Sequence, residues 1–110
     1  MGQQRFTNKD WRLYQEKLPG WQEAYMERLC KEYVELLSGE GKASERFWEL
    51  DKRIKDDKRH TGVQCTLDRS GIFFQILELL KDEAITMDDL ADFSDKFREA
   101  VEDHRRFWGL

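Results

Sequence analysis

The spacing of apolar residues along the chain is that of amphipathic α-helices. Between positions 21 and 37, apolar side chains recur every three or four residues in two neighbouring rows. One row consists of Trp21, Tyr25, Leu29, Tyr33 and Leu36, and the row beside it of Met26, Cys30, Val34 and Leu37. Charged residues fill the other side of the same stretch. The pattern predicts a helix with a wide apolar stripe.

Breaking and capping residues set the limits of the first helices. Thr7 stands three residues before Asp10, a spacing typical of a helix N-terminus. Because proline suits the first turn of a helix, Pro19 predicts a bend and a new helix that begins at Trp21. The glycines of "SGEGKAS", residues 38–44, predict the loop that ends this helix, and Ser44 is expected to cap the next one.

The middle of the chain predicts two more helices and a connector between them. The third helix is expected to run from Ser44 to about Arg59, with Phe47, Leu50 and Ile54 on its inner side. Residues 61–71 alternate briefly between apolar and polar, but the stretch is too short and solitary to build a sheet. Residues 68–81 are apolar on almost every side, which predicts the central helix of the fold.

Two structures compete for the C-terminal part of the chain. Thr86 stands three residues before Asp89, which predicts a helix that starts at Met87. Apolar residues keep steps of three and four across Ser94, so the pattern favours one long helix. A helix-turn-helix reader of DNA would need a turn of about three or four residues there. It remains the alternative.

These elements predict an all-α fold, a small bundle of three long helices plus one or two short helices. Residues 72–80 are expected at its centre. Because 110 residues suffice for one modest core, residues 1–110 are expected to form a single domain.

Composition narrows the classes of function. The net charge of −4 disfavours a protein that binds nucleic acid over its whole surface. The longest apolar run, residues 72–80, is too short to cross a bilayer, and the N-terminal residues do not resemble a secretory signal. We therefore expect a cytoplasmic location without a membrane partner. Cys30 and Cys65 are expected to be reduced thiols, since neither belongs to a ligand motif.

Residues that could carry catalysis are few. His60 and His104 are the two histidines, and the sequence contains no metalloprotease, hydrolase or phosphate-loop motif. His104 falls on the apolar side of the last helix, where a packed histidine is the expected role and a ligand or general base the weaker alternative. We expect no enzyme, no cofactor and no metal site.

Aromatic residues are the most unusual feature, with four tryptophans, three tyrosines and seven phenylalanines. Several lie near the ends of predicted helices, where a small bundle covers side chains least completely. If the termini leave them uncovered, they form a surface for a protein partner or for self-association as a homodimer. This candidate protein interface consists of Trp11, Tyr14, Trp21, Tyr25 and Trp108.

A second candidate surface is basic. It consists of Lys52, Arg53, Lys55, Lys58, Arg59 and His60. Asp51, Asp56 and Asp57 dilute its charge, so a solvated helix face is the plainer interpretation. Contact with nucleic acid or an acidic partner is the sharper alternative.

Four short motifs resemble a group of short bacterial proteins of uncharacterised activity. They are "WQEAYM" at 21–26, "EYVELL" at 32–37, "FWELDKRI" at 47–54 and "DLADFS" at 89–94. The resemblance implies a compact helical domain from a Gram-positive-type bacterium, without catalytic residues. Together these observations predict a cytoplasmic, non-enzymatic protein interaction or regulatory module. A nucleic-acid-associated, helix-turn-helix-like regulator is the alternative.

Overall fold

A computed structural model describes residues 5–109. It contains four α-helices, which are α1 (Asn8–Ser38), α2 (Ala43–Asp57), α3 (Ile72–Lys81) and α4 (Asp95–Trp108). Short 3₁₀ helices occur at Arg69–Gly71 and Met87–Leu90. No strand occurs among residues 5–109, so the all-α prediction is confirmed. None of the helices in this range has the length and apolar character needed to cross a membrane.

The first helix is continuous over 31 residues. It begins with the predicted capping pair, since Thr7 Oγ1 accepts a hydrogen bond from the Asp10 amide at 3.0 Å and the Thr7 amide donates to Asp10 at 2.9 Å. The predicted start of a new helix at Trp21 is wrong, because a single helix runs through Pro19. Buried side chains on both sides of the proline keep one helical stripe, and this packing outweighs the lost hydrogen bond. They are Tyr14, Leu18, Tyr25 and Leu29.

The core lies between the N-terminal part of α1, α3 and α4. As expected, the central helix is α3, in which Ile72, Ile76 and Leu79 are fully buried. Phe97 and Val101 of α4 reach the same cluster. We call this part of the molecule the body.

The last helix begins later than predicted. The pair Thr86 and Asp89 caps the 3₁₀ helix Met87–Leu90, whereas Ser94 caps α4 by accepting a hydrogen bond from the Phe97 amide at 3.1 Å. The prediction of one helix across Ser94 is therefore wrong. Apolar spacing continued through the break because residues on both sides of it pack into the same core. These are Leu90, Phe93 and Phe97.

Residues 26–38 of α1 and the whole of α2 form a helical hairpin, which we call the arm. The molecule is elongated, at 57 × 27 × 23 Å. Two details of α2 differ from the prediction. Its cap is Lys42 and not Ser44, and Phe47 is 62% exposed instead of facing inward. Phe47 lies to one side of the contact with α1, while Leu50 and Ile54 are half-buried.

Candidate interaction surface

A network of polar side chains fixes the base of the arm to the body. Tyr25 Oη lies 2.8 Å from His60 Nδ1. The same nitrogen is 3.9 Å from an Asp57 oxygen and 4.0 Å from an Asp82 oxygen. The Tyr33 hydroxyl donates to the buried Asp57 carboxylate. The network thus joins α1, the end of α2 and the end of α3.

Burial raises the pKa of both tyrosines in this network. For Tyr25 the carboxylates of Asp82 and Asp57 add to the effect of burial, and Arg28 opposes it. For Tyr33 burial comes first, and the hydrogen bond to Asp57 raises the pKa further. Both hydroxyls therefore stay protonated at neutral pH. They act as hydrogen-bonding groups that hold the arm, which is a structural role.

Arg28 ties α1 to the end of α3. Its guanidinium donates to the carbonyl oxygens of Glu83 at 2.8 Å and Asp82 at 2.9 Å, where a helix end favours a cation. It also lies 4.9 Å from the centre of the Tyr25 ring. On the same side of the junction, Thr61 donates to Glu78 at 2.9 Å. These contacts hold α1 and the segment that follows α2 against α3.

One side of the arm carries an uncovered apolar surface. At its base is a groove of about 270 Å³ between α1 and α2. It is lined by Met26, Leu29, Cys30, Tyr33, Ile54, Asp57, Lys58 and Val63. Val34 and Leu37 follow Cys30 by four and seven residues, and Phe47 precedes Ile54 by seven, so helical spacing continues this side toward the tip.

We call this surface the arm face and define it by the apolar residues Met26, Cys30, Tyr33, Val34, Leu37, Phe47 and Ile54. Val34 is 63% exposed and Leu37 is 42% exposed. Trp48 is 64% exposed, and its ring meets that of Phe47 edge-on at 5.0 Å between centroids. Large apolar side chains exposed together on a small protein are typical of an interaction site.

The predicted aromatic interface is mostly core. Tyr14 and Tyr25 are buried, which corrects their assignment to a surface. Trp11 and Trp21 are half-buried and pack against the core cluster. Buried Phe6 belongs to the same cluster. Of the five predicted residues, Trp108 is half-exposed, with its ring 5.8 Å from that of Phe74.

The charges of the predicted basic patch are largely paired with acids. Arg53 lies 3.0 Å from Glu32 and 3.5 Å from Asp57. Lys55 pairs with Asp51 at 2.9 Å, and Arg59 with Asp56 at 2.7 Å. His60 belongs to the network at the arm base. Within residues 5–109, Lys52 and Lys58 make no ion pair.

The remaining candidate residues are His104 and the two cysteines. His104 packs on the Phe73 ring at 5.2 Å between centroids. Cys30 and Cys65 are free thiols. In the described part of the chain, no three His, Cys, Asp or Glu side chains are grouped as metal ligands would be.

Sequence reasoning missed Phe47 and Trp48 as surface residues. Their adjacency was the available signal, because neighbouring residues on a helix point about 100° apart and a two-helix contact buries one side. Comparison with protein-family models, curated proteins and solved structures gives no match. The resemblance to short bacterial proteins therefore remains an expectation from the sequence.

Proposed function

We propose that this chain is a non-enzymatic, cytoplasmic protein interaction module that binds a protein partner, or a second copy of itself, through the arm face. The observation that carries the proposal is the exposure of Val34, Leu37 and Phe47 on the arm face, with the exposed Trp48 beside Phe47. Leaving apolar surface in water costs about 25 cal/mol per Å². A partner that covers this surface recovers that free energy.

A change of character along α1 supports the same proposal. One row of residues, spaced by three or four, runs the length of the helix on this side. In the body it is polar, with Arg12, Glu16 and Glu23, and in the arm it becomes apolar from Met26 onward. The row lies away from the core, so its apolar residues in the arm are not needed for the packing of the body. They are therefore available for binding.

A pull-down with a tagged chain tests the proposal. The lysate contains untagged chain and is split into nuclease-treated and untreated halves, and captured proteins are identified by mass spectrometry. We expect capture that survives nuclease and is lost in Phe47→Glu. The matched control is Phe107→Glu, since Phe107 is 88% exposed but belongs to α4. Equal capture by wild type and Phe47→Glu would contradict the proposal.

The alternative, a nucleic-acid-associated regulator, has one observation in its favour. The break at Ser94 creates a short helix, a turn and α4. Against it, the arginines of α4 are paired with acids one turn away, at Arg98–Asp95, Arg105–Glu102 and Arg106–Asp103. Capture that disappears with nuclease, weakens steeply with salt and is lost in Lys52→Glu would favour this alternative.

A further inference from the structure

The arm face has the form of one half of a four-helix bundle. Two antiparallel helices lie side by side, and apolar residues follow each other by three or four along both. We propose that the arm faces of two copies pair about a twofold axis parallel to the arms, so that α1 of each copy lies against α2 of the other. This inference rests on the proposed function of the arm face.

The body leaves the arm face open to a second copy. Tyr14 and Leu18 mark the side of α1 that is buried in the core cluster, and Tyr25 and Leu29 continue this buried side toward the arm. At about 100° per residue, the row that contains Cys30 and its apolar neighbours lies roughly 120° around the helix from that side. Two arms can therefore meet face to face while their bodies lie on the outside.

The size of the exposed surface fits such a pair. Aromatic side chains bury about 150–250 Å² each, so Phe47 at 62% exposure leaves on the order of 100 Å² uncovered per chain, and Trp48, 64% exposed, lies at the edge of the arm face. Val34 and Leu37 enlarge the patch. Two such faces with their polar rims reach about 1,000 Å², which is near the lower limit for a specific interface.

Charges at the base of the arm select a second copy as the occupant. Glu27 of α1 precedes Cys30 by three residues and is exposed, while Lys58 lines the groove beside α2. Neither makes an ion pair within residues 5–109. With α1 against the other copy's α2, each Glu27 faces the other copy's Lys58, which gives two ion pairs.

The other twofold arrangement lacks this match. If the arms ran in opposite directions, α1 would lie against α1, and each Glu27 would face the tip near Ser38 of the other copy. Lys42 and Arg46 are the cations at that tip, and the Arg46 guanidinium already donates to the Leu37 carbonyl oxygen at 2.6 Å, so Glu27 and Lys58 do not meet in this arrangement. A single chain thus carries both halves of the charge pattern, as an isologous interface requires. Charge complementarity of this kind fixes the register of an interface.

Sedimentation of the full chain tests the pairing. We expect a dimer, and we expect Glu27→Lys and Lys58→Glu each to raise its dissociation constant about ten-fold or more, because like charges then face each other. The double variant restores both pairs in reversed order and should return to within about three-fold of wild type. Glu35→Lys and Lys52→Glu are matched controls, since both residues are exposed and helical spacing places them away from the arm face.

The outcomes separate this inference from the proposed function. A wild-type chain that is monomeric at about 100 µM would overturn the pairing, because this concentration populates a dimer with a micromolar dissociation constant. A double variant whose dissociation constant stays as high as those of the single variants would also overturn it. If the monomer still captures another protein in a Phe47-dependent way, the proposed function stands without self-pairing. If it captures nothing through the arm, both proposals fail. Circular dichroism of each variant verifies that it is folded.

Discussion

At the scale of single residues, Asp10 organises two helix ends. It is 2% exposed, and its carboxylate accepts the Thr7 amide and both the amide and hydroxyl of Ser94, the latter two at 2.9 and 2.6 Å. Helix N-termini present unpaired amides and favour negative charge. One carboxylate therefore serves the starts of α1 and α4, which explains why the chain breaks at Ser94.

Replacing Asp10 should make the free energy of unfolding less dependent on pH in the acid range. Burial alone would raise the pKa of Asp10, but the hydrogen bonds from Ser94 and Thr7 outweigh it and lower the pKa below its usual 3.8. A carboxylate with a lowered pKa stabilises the folded chain at pH values above its ordinary pKa. This contribution is lost as the pH falls through the pKa of the folded state. We expect Asp10→Asn to cost about 1–3 kcal/mol at pH 7.

The difference between the two proteins should shrink below about pH 4, where the Asp10 carboxylate of the unfolded chain takes up a proton that the folded chain still excludes. Chemical unfolding at several pH values measures it. Asp95→Asn is a suitable control, because Asp95 is an exposed acid in the first turn of α4. A difference that stays constant from pH 7 to about pH 2 would contradict this role of Asp10.

Gly62 is a second residue with a defined physical requirement. A Cβ atom at this position would lie 2.5 Å from Tyr25 Cδ2 and 2.8 Å from its Cγ. The ring cannot easily yield, because it is buried and its hydroxyl is held by His60. We expect Gly62→Ala to lower the free energy of unfolding by about 1–3 kcal/mol.

Gly20→Ala is the matched control for Gly62. A Cβ atom at Gly20 meets nothing within 4 Å, and the residue lies inside α1. Alanine there should raise the free energy of unfolding by about 0.5–1 kcal/mol. Thermal or urea unfolding distinguishes the two signs. A neutral Gly62→Ala would mean that the Tyr25 ring moves aside without cost.

At the scale of elements, Pro19 is the main defect of α1. It lies inside the helix and is exposed, so it removes one backbone hydrogen bond without adding core packing. We expect Pro19→Ala to raise the free energy of unfolding by about 1–3 kcal/mol, after allowing for the freer unfolded chain. Urea unfolding is the measurement. Pro19→Gly should gain about 1 kcal/mol less, because glycine is a poor helix former.

Helix existence could be predicted from the sequence, while several helix limits could not. The periodic rows and the pairs Thr7–Asp10 and Thr86–Asp89 are local signals, and both capping pairs are present. The limits at Pro19 and Ser94 depend on distant contacts. Packing of Leu18 and Tyr25 carries α1 through the proline, and Asp10, far away in sequence, holds Ser94. The local spacing of apolar residues carries no information about either contact.

At the scale of the whole molecule, the difference in helix length decides which aromatic residues are exposed. α1 has 31 residues, whereas α3 has 10 and α4 has 14. At 1.5 Å per residue, α1 is about 46 Å long, so the shorter helices cannot cover its C-terminal part. The predicted interface at Trp11 and Tyr14 therefore fell on the covered part. The exposure of Phe47 and Trp48 on α2 could be predicted only with the knowledge that α2 packs on the uncovered part of α1.

The same division predicts two classes of amide hydrogen exchange. α3 buries Ile72, Ile76 and Leu79 completely, whereas the one residue of α2 that is buried is Asp57. Local opening of α2 exposes little apolar surface, so we expect its amides to exchange at least about ten-fold faster than those of α3 in dilute solution.

If a second copy covers the arm face, raising the protein concentration should slow exchange in α2 and leave α3 unchanged. Phe47→Glu should abolish that concentration dependence. Equal exchange rates in α2 and α3 at every concentration would contradict the division into arm and body.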